Sequence, residues 1–151
     1  MNTARQIHPK PRILIVEDDL ITLRVAREMF TCSGFEVVTL NDSALAPELF
    51  RLQQFDLVVL DYYMPDANGY ETAESLRELE KQLNRTPVPM VVVSGSINDI
   101  HNIHNKAVTA WYSKPYSLAT IQHLMDTYLS RDNVHAAKPQ SAEIIEYPSP
   151  F

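Results

Sequence analysis

Four short apolar runs in this chain each stop at a residue able to do chemistry. Arg12-Ile-Leu-Ile-Val16 ends at Glu17-Asp18-Asp19, and Leu57-Val-Val-Leu60 ends at Asp61. Met90-Val-Val-Val93 ends at Ser94, and Ala110-Trp-Tyr-Ser113 ends at Lys114. A lone aspartate after a strand is a weak signal, since it serves equally well as a cap for the next turn. Several strands delivering chemistry to one end is a stronger one. Carboxylates crowded together repel one another, and that cost calls for a counter-charge. Lys114 supplies part of it. Mg²⁺, which prefers carboxylate and water oxygens in an octahedral array, suits the rest. Metal and ammonium would neutralise phosphoryl oxygens, with Ser94 donating a hydrogen bond. Asp61 would be the nucleophile, forming an acyl phosphate.

Those residues need a scaffold that gathers strand ends. The apolar runs lack polar alternation, as strands buried on both faces do in a parallel sheet. Glu36 to Leu40 adds a further strand. Helical spacing lies between the runs: Leu23, Ala26 and Phe30 on a first helix, with Asp19 as N-cap and Gly34 as left-handed C-cap. Leu45, Leu49 and Leu52 mark one face of a second helix. Ala73, Leu76, Leu79 and Leu83 form the inward side of a third, whose charged residues Glu71, Glu74, Arg77, Glu78, Glu80 and Lys81 read as a solvated face. A fourth helix is expected over Ile97 to Lys106. The fifth, about Ser117 to Ser130, has Leu118, Ile121, Met125 and Tyr128 inward. Such alternation predicts an α/β fold, a flavodoxin-like doubly wound five-stranded parallel sheet with five helices. In open sheets of this kind ligands bind at the carboxyl ends of the strands.

Composition bounds the alternatives. The chain has 151 residues, enough for one domain with a full core, and 45% are hydrophobic. A formal net charge of −6 argues against nucleic-acid or anionic-membrane binding. Cys32 is the sole cysteine, so an intrachain disulfide or a cysteine-based zinc site has no partner residue, as suits a reducing cytoplasm. No apolar run approaches the ~20 residues that span a bilayer, and Met1 to Lys10 lacks the apolar core of a signal peptide. Residues 1–11 read as a flexible lead-in, 12–130 as the folded domain, and 131–151 as a flexible tail or linker.

The ordered motifs Ile15-Val16-Glu17-Asp18, Leu60-Asp61-Tyr-Tyr-Met64-Pro65 with Gly69, Val93-Ser94-Gly95 and Lys114-Pro115 resemble the receiver domain of bacterial two-component response regulators. The resemblance covers roughly residues 12–130. It implies a cytoplasmic phosphorylation-controlled switch, not an enzyme beyond assisting its own phosphorylation and dephosphorylation. Asp61 would accept phosphate from a histidine kinase or phosphotransfer protein. Glu17, Asp18, Asp61 and the backbone carbonyl of Tyr63 would hold Mg²⁺. Ser94 would be the switch hydroxyl, Trp111 the switch aromatic, and Lys114 the phosphate contact, with a cis bond to Pro115. A downstream effector protein would be the partner, and a homodimer would use the fourth helix, fifth strand and fifth helix. Two features depart from the pattern: Trp111 replaces the commoner tyrosine or phenylalanine, and Lys106-Ala107-Val108-Thr109 lacks the glycine often found before the fifth strand.

Other readings stand beside this one. A docking module that never uses phosphate would keep the same motifs, and so would the receiver fragment of a longer regulator. A haloacid-dehalogenase-type phosphatase needs a second acid two residues past the first, where Tyr63 stands. A flavodoxin needs a hydroxyl- or glycine-rich loop where this chain has three acids that repel phosphate. His101 and His104 have a metal-compatible spacing but no evident third ligand. Ile144-Ile-Glu-Tyr147 could pair with a sheet edge, though a linker is favoured there.

Overall fold

Alternate residues of the apolar runs face opposite sides of one sheet, and both sides are covered. In the computed structural model, which describes residues 10–96, 105–129 and the backbone of 143–144, six strands are hydrogen-bonded in the order β2-β1-β3-β4-β5-β6. They are β1 (Arg12–Val16), β2 (Glu36–Leu40), β3 (Leu57–Asp61), β4 (Met90–Ser94), β5 (Ala110–Ser113) and β6 (Glu143–Ile144). Every pairing is parallel. The helices are α1 (Leu20–Cys32), α2 (Ala46–Leu52), α3 (Gly69–Gln82) and, among the described residues, α4 (Leu118–Leu124), which runs on into a π-helical turn over Met125–Leu129. The helix expected over 97–106, with His101 and His104, falls largely outside the described residues.

Strand periodicity divides the core in two. Ile13, Ile15, Leu57, Val59, Val91, Val93 and Tyr112 pack with Leu23, Ala26 and Phe30 of α1 and with Ile121 and Leu124 of α4. Leu14, Val16, Val58, Leu60, Met90, Val92 and Trp111 pack with Ala46 and Phe50 of α2 and with Ala73 and Leu76 of α3. At about 25 cal/mol per Å², each Val, Leu, Ile, Phe or Met among them contributes ~1.5–3 kcal/mol of burial free energy. The caps follow the expected chemistry. Asp19 accepts from the Thr22 amide at 3.1 Å, and Asn68 with Glu71 closes a capping box on α3. Gly34 takes φ +97°, the left-handed conformation that ends α1. No helix among the described residues is long and apolar enough to cross a membrane.

Four expectations need correction. In α2 the inward residues are Ala46 and Phe50, while Leu45 and Leu52 are exposed, because the aromatic ring sets the phase of the short helix. In α4 the buried residues are Thr120, Ile121 and Leu124, and Leu118 lies outside; the π-helical turn shifts Met125 and Tyr128 to the margin. The sheet has a sixth strand, since Glu143–Ile144, in the segment read as a flexible tail, pairs with β5.

The fourth correction is Glu80, expected on a solvated face and found buried. Its carboxylate accepts from the Val88 amide at 2.7 Å and pairs with Arg77 at 2.7 Å. Arg77 Nε also donates to the Ala107 carbonyl at 3.0 Å, so the pair ties α3 to the segment leading into β5. Burial raises the Glu80 pKa against the lowering pull of Arg77. Arg77→Met strips a buried carboxylate of its counter-charge, and the expected loss in chemical denaturation is about 3 kcal/mol. Because a raised pKa favours the folded state at low pH, that loss should shrink as pH falls below neutrality.

Candidate functional site

Register alone brings the chemistry together. Val16 pairs with Leu60, so Glu17 and Asp61 stand side by side as β1 and β3 end. Asp61 pairs with Val93, placing Ser94 one step beyond, and Ser94 pairs with Ser113, placing Lys114 one step beyond again. Backbone bonds hold these ends. The Glu17 amide donates to Leu40 at 2.9 Å, the Tyr62 amide to Val93 at 3.0 Å, and the Lys114 amide to Ser94 at 2.9 Å. With parallel strands about 4.8 Å apart, a lysine side chain reaches back across two of them.

It does so here. Lys114 Nζ donates to both Glu17 oxygens, at 3.0 and 2.9 Å, and lies 3.1 Å from Asp61 Oδ1. Glu17 and Asp61 are buried, whereas Asp18 is exposed at the rim. One carboxylate oxygen from each of Glu17, Asp18 and Asp61 lies within 4.8 Å of the others. Burial pushes the Glu17 carboxyl up to about 7, against the pull of its hydrogen bonds to Lys114, and the charge of Asp61 adds to the rise. Burial likewise raises Asp61, with Lys114 opposing. Burial works to lower the Lys114 ammonium, but its bonds to Glu17 and Asp61 outweigh it and the net shift is upward. This is an all-oxygen acidic donor set with one cation lodged in it. Such a set fits a hard divalent ion such as Mg²⁺.

The loop after Asp61 is closed by Gly69, whose amide donates to the Tyr62 carbonyl at 3.0 Å. A Cβ at Gly69 would meet the Asp61 carbonyl oxygen at 2.8 Å, so only glycine permits this approach. Tyr63 is 58% exposed and stands edge-on to Tyr62, with ring centroids 4.9 Å apart. Ser94 is buried; its Oγ accepts from the Ser96 amide at 3.2 Å. The Lys114–Pro115 bond is cis.

Trp111, which the resemblance puts at the switch-aromatic position, is 1% exposed in the core on the α3 side of the sheet. Its ring packs against Tyr62 at 5.6 Å and Tyr70 at 4.9 Å, and its indole nitrogen has no hydrogen-bond partner among the described residues. Sequence reasoning overlooked Tyr62 and Tyr70. Their signal was the position of each aromatic, one directly after Asp61 and one directly after Gly69. It also overlooked Tyr116, whose ring stands edge-on to Phe30 and whose buried hydroxyl has no hydrogen-bond partner among the described residues.

Comparison with known proteins gives this arrangement its family. The chain matches the family model for the response regulator receiver domain over residues 13–126. It belongs to that family. The polar-differentiation response regulator DivK of Brucella ovis is 26% identical over 117 residues, covering 78% of this chain and 94% of the relative. A probable transcriptional regulator of Pyropia yezoensis is 26% identical over 131 residues, covering 87% of this chain but 59% of the relative, so the chain spans little more than half the length of that protein. Among solved structures, a response regulator receiver domain (CheY-like) from Methylobacillus flagellatus superposes with a TM-score of 0.71 at 23% identity, covering 79% of this chain and 98% of the other. TrrA from Thermotoga maritima, in complex with Mg(2+)-BeF, gives 0.70 at 22% identity, covering 79% and 99%. These structural likenesses establish the doubly wound fold of a receiver domain.

A cation already lodged among the acids should compete with a divalent ion. Lys114→Met removes that competitor and leaves the carboxylates uncompensated. The variant should melt lower than the parent without metal and gain more in Tm from millimolar MgCl₂. Scanning calorimetry with and without the ion checks both directions.

Proposed function

We propose that this receiver domain is a phosphorylation-controlled switch whose acceptor is Asp61, and that it regulates a partner protein by docking. The observation that carries the reading is the convergence of three acids within 4.8 Å with Lys114 bonded to two of them. Glu17, Asp18 and Asp61 would hold Mg²⁺, with the Tyr63 carbonyl as a further ligand. The bound ion would supply Lewis-acid stabilisation of negative charge at the phosphoryl oxygens.

The remaining steps belong to this chain's own side chains. A carboxylate oxygen of Asp61 attacks phosphorus of a phosphohistidine on a histidine kinase or phosphotransfer protein. The new P–O bond forms as the P–N bond breaks, and the departing imidazole takes up a proton. The reaction ends in an acyl phosphate on Asp61. Lys114 would transfer its ammonium from the Glu17 carboxylate to a phosphoryl oxygen, and Ser94 would donate to another. The chain is thus a phosphoacceptor rather than a turnover enzyme.

The surround suits a protein donor. Leu20 and Ile21, which open α1 just after the acid pair, are 62% and 77% exposed. Leu118, just after Lys114-Pro115, is 71% exposed, and Tyr63 is exposed as well. Apolar side chains around a charged pocket give a docking rim from which water is excluded on contact. Trp111 would report a change of state by an altered setting among Tyr62 and Tyr70.

Incubation with Mg²⁺ and a small phosphodonor should add one phosphoryl mass to the parent and none to Asp61→Asn, read by intact mass spectrometry; equal labelling of both would sink the assignment. Tyr63 bears on the lifetime of the product. Hydrolysis needs a water in line with the new bond, and an exposed ring two residues past the acceptor shields that approach. An amide there would instead help orient the water. Tyr63→Asn should therefore lose its phosphoryl group faster after donor removal, on the order of tenfold, equivalent to ~1.4 kcal/mol of barrier. Equal or slower decay would defeat the shielding argument.

A further inference from the structure

Asn68-Gly69, in the loop between Asp61 and α3, is the one place in the chain where glycine follows asparagine. The side-chain carbonyl carbon of an asparagine is open to attack by the backbone nitrogen of the next residue. Glycine, having no side chain, leaves that nitrogen unshielded. Both reacting groups are tied down here. The Gly69 amide donates to the Tyr62 carbonyl at 3.0 Å. The Asn68 side-chain oxygen accepts from the Glu71 amide at 2.9 Å, and the Asn68 amide donates to the Glu71 carboxylate at 3.5 Å. Ring closure needs Cβ and the Gly69 nitrogen nearly eclipsed about the Asn68 Cα–C bond. The cap instead holds that bond extended, with ψ 171°.

The pair sits where the fold tolerates no extra length. A Cβ at Gly69 would already meet the Asp61 carbonyl oxygen at 2.8 Å. The Asn68 carbonyl accepts from the Thr72 amide at 3.0 Å and from the Thr72 hydroxyl at 3.1 Å. An added backbone methylene between residues 68 and 69 would shift Gly69 against Asp61 and take that carbonyl out of the helix.

We propose that Asn68 is a self-modification site, closed by the α3 cap and opened when the first turn of that helix frays. On opening, hydroxide takes the Gly69 amide proton and the nitrogen attacks Cγ of Asn68. The N–Cγ bond forms, the Cγ–Nδ2 bond breaks, and the side-chain nitrogen takes a proton from water and leaves as ammonia. A second water opens the cyclic imide. Cleavage at Cγ gives aspartate, and cleavage at the backbone carbonyl carbon gives isoaspartate. Aspartate keeps the cap, since it caps a helix as well as asparagine does. Isoaspartate carries the extra methylene and loosens the loop behind Asp61. No phosphoryl group takes part, so the site stands or falls apart from the function of Asp61.

The test incubates the full chain, Glu71→Pro and Glu71→Ala in mildly alkaline buffer, with the urea-unfolded parent alongside. Asn68→Ser keeps a capping oxygen but has no amide to lose, and so sets the background from the other asparagines. Peptide-mapping mass spectrometry follows amide-to-acid conversion at residue 68, and far-UV circular dichroism shows which variants are folded. Glu71→Pro removes the amide that holds the Asn68 side chain, and Glu71→Ala removes only the returning carboxylate. The folded parent should convert on the order of tenfold slower than the unfolded chain, with the folded Glu71 variants between the two. No conversion at residue 68 in urea would overturn the site, and equal rates in the folded parent and in urea would overturn the gate. Folded Glu71 variants no faster than the parent would overturn the role of the cap. The isoaspartyl form, separated by chromatography, should melt below the parent; an equal Tm would overturn its effect on the loop.

Discussion

The ammonium of Lys114 is the interaction on which the site depends. Glu17 and Asp61 are held out of water side by side, and two buried anions with no counter-charge would each favour protonation or a disrupted sheet end. Lys114 bonds to both. It arrives there because β5 ends two strands away from β1's neighbour and a lysine is long enough to return. The same arrangement underlies the proposed switching, in which a phosphoryl anion would draw the ammonium off and the acids it leaves would favour a metal ion.

The sheet serves that arrangement by being insulated on both faces. Helices α1 and α4 cover one side, and α2 with α3 cover the other, while Glu17, Asp61 and Ser94 are buried together at the strand ends. Rigidity is concentrated where β3 meets α3. Gly69 sits so close beneath the Asp61 carbonyl that no side chain fits. Tyr62 and Tyr70 then wall in Trp111. A change at Asp61 therefore has tightly packed neighbours in the direction of β5, and packed cores rearrange between discrete states rather than deform smoothly.

At the far edge the physics reverses. β6 is described over Glu143–Ile144, and it lies on the outer side of the strand that carries both Trp111 and the approach to Lys114. The Arg77–Glu80 pair braces the start of that same strand through the Ala107 carbonyl. β5 is thus firmly anchored at its entry and at its inner face, and lightly covered on its outer one.

Much of this was legible from residue order. Uninterrupted apolar runs, each followed by a polar residue, identify strands buried on both faces and name Glu17, Asp18, Asp61, Ser94 and Lys114, because period and punctuation are local properties of a chain. Asp19 and Gly34 were readable for the same reason: capping is decided within a few residues. Depth and phase were not. Glu80 looks like one more charge on a helix face until the Val88 amide and Arg77 meet it. Leu45, Leu52 and Leu118 look like core residues until Phe50 and the π-helical turn set which side faces in. The Glu143–Ile144 pairing depends on β5 having an open edge, a fact of sheet order. Trp111's burial depends on Tyr62 and Tyr70, which approach it from the loop after β3 and from α3. The sequence by itself determined which groups stand at the strand ends. Only the tertiary structure decided which of them share a counter-ion and which leave the water, since desolvation and ion pairing act between residues that are distant in the chain and adjacent in space.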